Sequence, residues 1–295
     1  MVSRRSGRVC HVPVGGARWA GGLSAVLAGG LAAGLLLAGC SPETVVVDER
    51  SAGEDVAPAV RDAADALVRA GSSRVRTTVE TATGGTRVAI RGRGGYDFDR
   101  RRGRLRLVLP RDASGAAEHE PITELLASGA VFMRNRGAGV PADKWVRVES
   151  SGVADGNLVT GGATDPLTAA ELLRAARRVR LVGEERLHGA PVRHYRGVTD
   201  IARAARAASP GAREALGAAA RGFTEHAVAF DAYLDERGRL RKVRHRFTMA
   251  GEWAGSGTGQ QVASTTELFD FGTRVTVRLP DSEDIFTGTV GAPRR

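Results

Sequence analysis

The chain has 295 residues and a formal net charge of +10, which is long enough for one large domain or two small ones with a real core. Its two cysteines, Cys10 and Cys40, are too few for a disulfide framework or a thiolate metal site. Only two of the 43 basic residues are lysines. This bias is typical of a GC-rich genome, so we expect no nucleic-acid partner. The charge indicates a solvated surface or, near a membrane, attraction to anionic lipid headgroups.

The first 40 residues resemble a bacterial lipoprotein signal. Four arginines precede an apolar run over residues 21–38, which ends in the lipobox Leu37-Ala38-Gly39-Cys40. This resemblance implies that the chain is cut between Gly39 and Cys40 and that the Cys40 thiol receives a diacylglycerol. The protein would then be lipid-anchored at the outer, extracytoplasmic face of the cell membrane. An uncleaved transmembrane anchor is the alternative, because the run is about long enough to span a bilayer.

Cleavage would leave 256 residues with a formal charge of +6 and no free thiol. Residues 40–55 are polar and acidic and predict a flexible tether. Residues 56–286 are predicted to form a single domain, and residues 287–295 a disordered tail.

The first half of this domain is predicted to be one helix followed by strands. Apolar residues recur at helical spacing from Val56 to Val68, and Gly71 ends the helix. Strands are predicted over 75–83, 86–93, 96–99, 105–109, 130–134 and 144–149.

The second half alternates helical insertions with longer strands. Asp165 and Pro166 predict the start of a helix over 166–176, as an N-cap and a first helical residue. Ala-rich helices are predicted over 200–208 and 212–221. Strands are predicted over 179–182, 192–198, 226–235, 240–249, 261–271 and 273–279. The total is ten to twelve antiparallel strands without a βαβ rhythm, which indicates an α+β fold.

The order of these elements is similar to a known family. The lipobox and first helix precede a strand meander and an Asp-Pro-Leu helix; Gly189-Ala190-Pro191-Val192-Arg193-His194-Tyr195 and Asp235-Glu236-Arg237-Gly238-Arg239-Leu240 then follow. This order resembles the actinobacterial LppX/LprG-type lipoproteins, which share a fold with the lipoprotein carrier LolA. The resemblance implies a strongly curved antiparallel half-barrel covered by short helices, with an apolar cavity for acyl chains between them.

The function expected from this resemblance is binding or carrying of a lipid or other long apolar molecule. Each methylene moved out of water would contribute about 0.8 kcal/mol. Apolar residues on the strand and helix faces are the candidates to line the cavity, although they could equally pack a solid core. They are Leu105, Leu107, Leu109, Val146, Val148, Leu172, Leu173, Ile201, Val228, Phe230 and Leu234.

Catalytic chemistry is not indicated by any motif. The sequence contains no His-Glu-x-x-His, Gly-x-Ser-x-Gly or phosphate-loop pattern, so we expect neither an enzyme nor a cofactor. The histidines at 188, 194, 226 and 245 are expected at the surface rather than as metal ligands, and Glu184-Glu185 is expected in a solvated turn. The alternative function is a structural or regulatory envelope lipoprotein with a filled core that binds another protein or a transporter.

Overall fold

The computed structural model describes residues 55–83, 86–110, 120–137, 139–249 and 260–288. They belong to one compact unit, Glu49–Arg295. The predicted signal peptide, the lipobox with Gly39 and Cys40, and the tether up to residue 54 lie outside the described residues. The prediction of lipid anchoring therefore stays a prediction.

The described residues form one antiparallel sheet of eleven strands. Its order is β6-β5-β4-β3-β2-β1-β11-β10-β9-β8-β7. The strands are β1 (Ser72–Thr83), β2 (Thr86–Asp97), β3 (Arg102–Val108), β4 (Ile122–Ala127), β5 (Ala130–Arg134), β6 (Val146–Glu149), β7 (Arg177–Leu187), β8 (Ala190–Asp200), β9 (Ala227–Leu234), β10 (Leu240–Met249) and β11 (Gln260–Phe269). Two meanders, β1–β6 and β7–β11, are joined where β1 pairs with β11. The sheet is open, and the predicted α+β class with ten to twelve antiparallel strands is confirmed.

Five short α-helices accompany the sheet within the part of the chain that the structure describes. They are α1 (Ala57–Arg61), α2 (Ala63–Ala70), α3 (Pro166–Glu171), α4 (Ile201–Ala207) and α5 (Pro210–Gly222). The predicted first helix is divided at Asp62. A 3₁₀ turn over Leu172–Ala175 completes the helix that was predicted to start at Pro166. As the sequence predicted, the carboxylate of Asp165 caps α3 by accepting a hydrogen bond from the Thr168 backbone N–H at 2.8 Å.

The sequence prediction missed β4. In this strand Ile122, Glu124 and Leu126 share one face, so an acidic residue occupies an inward position and disturbs the expected alternation of apolar and polar residues. Its hairpin partner β5 was predicted correctly. The Ser128-Gly129 pair is the sequence signal that was overlooked, because it forms the turn between these two strands.

The predicted strand at 273–279 is wrong. Both sides of β11 are already occupied, by β1 and β10, so the chain turns at Gly272 and continues as an extended segment outside the hydrogen-bonded sheet. Val277 and Leu279 pack there against Leu125 and Phe132. Apolar residues do alternate with other residues over 273–279, but the alternation reflects packing against the face of the sheet that carries Leu125 and Phe132.

Candidate functional site

On one face of the sheet, the apolar side chains pack against apolar side chains of the helices, and we call this face the inner face. A first cluster joins Leu67 of α2 and Leu167 of α3 to Tyr96 and Leu105. A second cluster joins α4 and α5, through residues such as Leu216, to strands β9–β11. The space between sheet and helices is therefore divided into two apolar regions.

The residues predicted to line a cavity are distributed over these two clusters. Seven belong to the first or pack against it: Leu105, Leu107, Leu109, Val148, Leu173, Phe230 and Leu234. Three belong to the second: Leu172, Ile201 and Val228. Val146 is also buried, on β6. All are thus in or beside the apolar interior, and their role as ligand-lining residues stays a prediction.

A strip of polar side chains crosses the inner face between the two clusters. On β1, Thr77 lies between Val75 of the first cluster and Val79 of the second. Thr266 of β11 is its direct cross-strand partner. On β10, His245 is paired with Ser264 of β11 in the same way. We call Thr77, Thr266, Ser264 and His245 the central polar strip.

This strip is buried, and much of its hydrogen-bonding capacity is unused. Ser264 makes a 2.5 Å hydrogen bond to Thr164. The hydroxyls of Thr77 and Thr266 and the Nε2 atom of His245 find no partner among the described residues. The His245 ring lies between Phe230 and Phe247, with centroid distances of 6.5 and 5.9 Å. Burial lowers the pKa of His245 to about 3, so the ring is neutral at pH 7.

A second buried polar group on the inner face is Glu124 of β4. It lies directly across from Leu105 of β3 and Met133 of β5, and both of its carboxyl oxygens lack a partner within the described residues. Burial raises the pKa of Glu124 to about 8, although the positive charge of Arg136 acts to lower it. The carboxyl is therefore mainly protonated at pH 7 and can both donate and accept a hydrogen bond.

A small cavity lies close to this region, between α3, α5 and the β4–β5 turn. It measures about 30 Å³ and is lined partly by Tyr96, Leu126 and Asp165. The Tyr96 hydroxyl donates a hydrogen bond to Asp165, and burial raises the pKa of both groups. A volume of this size suits one or two water molecules and is far below the roughly 300–1,000 Å³ of ligand pockets.

The helices are tied together by a buried carboxylate, Glu171 of α3. It accepts a 2.5 Å hydrogen bond from Arg174 and bonds of 3.1 and 2.7 Å from the backbone N–H and hydroxyl of Ser209. Arg174 also donates to Asp65 of α2, at 2.6 and 2.9 Å. This junction connects α2, α3 and the start of α5.

The opposite, outer face carries an ion-pair network that includes one of the histidines predicted at the surface, His194, and corrects that prediction. His194 is buried and bonds through its two ring nitrogens to Glu185 at 3.0 Å and Asp231 at 2.8 Å. Burial alone would raise the pKa of Asp231, but hydrogen bonds from Arg196, His194 and Arg246 lower it to about 2. With both nitrogens bonded, His194 holds strands β7–β9 together.

The other histidine and glutamate predictions have mixed outcomes. His245 is also buried rather than at the surface. His188 and His226 are exposed, as expected. Glu184 and Glu185 are solvated as expected but belong to strand β7, so the predicted turn is wrong: the chain turns at His188-Gly189.

Among the described residues, no cluster of three or more histidine, cysteine or acidic side chains could hold a metal ion. Nor does this part of the chain contain a helix with the length and apolar character needed to cross a bilayer.

The chain has structural likeness to several solved proteins. LprF from Mycobacterium bovis is 11% identical, with a TM-score of 0.40 and coverage of 76% of this chain and 96% of LprF. The lipoprotein LppX from Mycobacterium tuberculosis is 11% identical, with a TM-score of 0.39 and coverage of 75% and 99%. A LolA superfamily protein from Nitrosomonas europaea is 12% identical, with a TM-score of 0.33 and coverage of 78% and 96%. The resemblance predicted from the sequence is thus confirmed as a likeness to LppX/LprG-type and LolA-like proteins.

No family model matches the chain, and no curated protein matches it either.

Proposed function

We propose that this protein is an exported lipoprotein, anchored through Cys40, that binds or carries a lipid or other long apolar molecule between the inner face of the sheet and the helices. The observation that carries the proposal is the set of unpartnered polar atoms in this interior. The anchoring rests on the lipobox, and the occupant would be held mainly by burial of its methylene groups, at about 0.8 kcal/mol each.

The unpartnered polar atoms argue against a permanently sealed core. Thr77, Thr266, His245 and Glu124 leave five buried polar atoms without a protein partner in the described part of the chain. Buried polar groups are normally hydrogen-bonded, and each unmet group costs about 1–3 kcal/mol. Such a cost is understandable if the interior opens to a molecule that carries hydrogen-bonding groups, such as the ester or hydroxyl groups of a lipid, as well as apolar chains.

The composition of α4 and α5 is suited to a removable cover. The side chains that these helices bury are largely alanines, among them Ala204, Ala205, Ala212 and Ala219. A methyl group buries less apolar surface than a leucine or phenylalanine side chain, so exposing it to water costs less free energy. The cavity near α3 measures only about 30 Å³, so we propose that a long chain enters as the helices separate from the sheet.

The proposal is tested by purifying residues 41–295 and recording native mass spectra of protein extracted from cells. The compact unit begins at Glu49, so this chain keeps all of it. We expect copurified lipid or saturable binding of an apolar fluorescent fatty acid. Spectra of bare protein, together with no binding of the fatty acid, would refute the carrier function.

A matched pair of variants tests the role of the polar strip. Thr77→Val replaces an unpartnered inner-face hydroxyl with a methyl group, and Thr78→Val makes the same change one residue away on the outer face. We expect Thr77→Val to stabilise the empty protein by about 1–2 kcal/mol while weakening binding of the fatty acid. Equal behaviour of the two variants in both measurements would contradict the assigned role.

The second candidate, a structural lipoprotein that binds another protein, is favoured by one observation. The predicted lining residues pack closely in apolar clusters, as they would in a solid core. This candidate predicts that even a protein with a weakened helix junction, such as Glu171→Ala, neither copurifies with lipid nor binds the fatty acid.

A further inference from the structure

The outer face of the sheet has two electrostatically different halves. Over β8–β11 the basic side chains have acidic partners: Arg196 and Arg246 pair with Asp231 at 2.8 and 2.7 Å, and Lys242 pairs with Glu267 at 3.3 Å. Over β1–β3 the exposed arginines form no ion pair with any described residue. A folded protein gains little from such a cluster, because like charges on neighbouring strands repel one another.

The unpaired arginines are brought together by strand register. Arg76 of β1, Arg93 of β2 and Arg106 of β3 lie in one cross-strand row. In the next row, Arg74 and Arg104 lie on either side of Gly95. Because residues two apart on a strand share a face, these rows place five guanidinium groups on one side of the sheet.

A sixth arginine is delivered by the extended segment that follows β11. A Cβ atom on Gly95 would lie 2.9 Å from the Val275 side chain, so glycine at this position lets the segment pack closely on β2. Arg274 is thereby placed over the same strands. The result is a groove of about 250 Å³ lined by five arginines, which we call the arginine groove: Arg74, Arg93, Arg104, Arg106 and Arg274.

The lining of the arginine groove favours a phosphate ligand. Its remaining lining residues, Gly94, Gly95, Val275 and Thr276, bring no negative charge. Guanidinium groups bind phosphate oxygens through paired N–H donors and are less strongly hydrated than lysine. Two acidic residues lie beside the arginine rows. Glu267 of β11 is the cross-strand partner of Arg76 but pairs with Lys242. Glu120 shares a neighbouring groove with Arg104 and Arg106 but forms no ion pair with either.

We propose that the arginine groove is a binding site for the phosphate groups of anionic phospholipids, and that it holds the outer face of β1–β3 against the membrane. The site is separate from the proposed interior site, and it uses the lipid anchor only to bring the domain near the surface. A fully extended tether from Cys40 to Asp55 would reach about 50 Å, so the groove can contact the bilayer that holds the anchor. Juxtamembrane basic residues contribute about 1 kcal/mol each to such binding.

The test is sedimentation of residues 41–295 with vesicles of one part phosphatidylglycerol to two parts phosphatidylcholine, compared with vesicles of phosphatidylcholine alone. We expect binding to the anionic vesicles only, weakened by salt. The triple variant Arg93→Gln, Arg104→Gln, Arg274→Gln should bind about a hundredfold more weakly. These exposed side chains make no bond that the fold depends on, and circular dichroism verifies that the variant is folded.

The matched control removes the same charge elsewhere on the surface. It replaces three exposed arginines for which no ion pair is found, Arg206, Arg221 and Arg237, with glutamine. This control should lose less than tenfold. An equal loss in the two triple variants would show attraction by net charge alone and overturn the proposal.

Two competitors identify the source of the phosphate. Inorganic phosphate at millimolar concentration should compete only weakly, because a membrane engages several arginines at once. If inorganic phosphate binds the groove while anionic vesicles do not, or if a single-stranded DNA oligonucleotide binds more tightly than the vesicles and depends on the same arginines, the membrane assignment is wrong. None of these outcomes depends on whether lipid copurifies in the interior.

Discussion

Replacing Glu124 with glutamine tests whether the interior of this protein holds a carboxyl group at a free-energy cost. Glutamine has nearly the same shape and cannot ionise. The pKa of Glu124 is raised from its usual 4.5 to about 8 by burial, so the folded protein must take up a proton at neutral pH that the unfolded chain has already released. Between pH 4.5 and pH 7 this costs about 3 kcal/mol, at about 1.4 kcal/mol per pH unit.

The sign follows from the direction of the shift. With a raised pKa in the folded state, the contribution of Glu124 is most favourable below pH 4.5 and is lost as the pH rises through 8. The Glu124→Gln variant should therefore match the parent near pH 4, exceed it by about 3 kcal/mol at pH 7 and by about 5 kcal/mol at pH 9.

The assay is urea unfolding of both proteins at several pH values, with midpoints and slopes compared at each pH. Glu236→Gln, at an exposed turn, is the matched control and should show no pH-dependent difference of this size. A Glu124→Gln variant that is less stable than the parent at pH 7, or a difference that does not change with pH, would refute the assignment of Glu124 as a buried, unpartnered acid.

Three other perturbations have expected outcomes of their own. Glu171→Ala removes the buried carboxylate of the helix junction and should lower the free energy of unfolding by about 3 kcal/mol in urea titrations; an effect below about 1 kcal/mol would mean that the junction does not hold the helices. Arg93→Gln relieves repulsion from Arg76 and Arg106 and should raise stability by about 1 kcal/mol at low salt, a gain that molar salt should abolish; a loss of stability would be the contrary result. Burial lowers the pKa of His245 to about 3, so the stability contributed by this residue should fall below pH 6.5, by about 2 kcal/mol at pH 5. Because Glu124 changes stability in the opposite direction over this range, the loss is measured in the Glu124→Gln protein; adding His245→Phe should remove it, and an unchanged loss would contradict the assignment of His245 as a buried neutral ring.

The hairpin predicted over 226–235 and 240–249 shows which features of the fold the sequence alone could predict. Val228, Phe230 and Leu234 alternate with polar residues, and the paired strand over 240–249 has the same period. This local pattern depends only on the two-residue repeat of a strand, so β9 and β10 were located within one or two residues. The N-cap at Asp165 is equally local, since its carboxylate bonds to the backbone three residues later.

The interior site could not be predicted in the same way. Thr77 and Thr266 are separated by most of the domain, and they meet only because β1 pairs with β11. Glu124 was overlooked because a charged residue in an inward position weakens the signal of its own strand. In each case the missing information is the pairing of distant strands, which a single sequence does not contain.

The sequence by itself determined the predicted membrane address, the dominance of antiparallel strands and the alternation of arginines along β1–β3, because each of these properties is set by neighbouring residues. The tertiary structure alone decided which strands became neighbours. Register between strands aligned Arg76, Arg93 and Arg106 in one row of the outer face and placed the central polar strip between two apolar clusters on the inner face. Strand pairing is set by contacts between distant segments, and it is these contacts that give each face its chemistry.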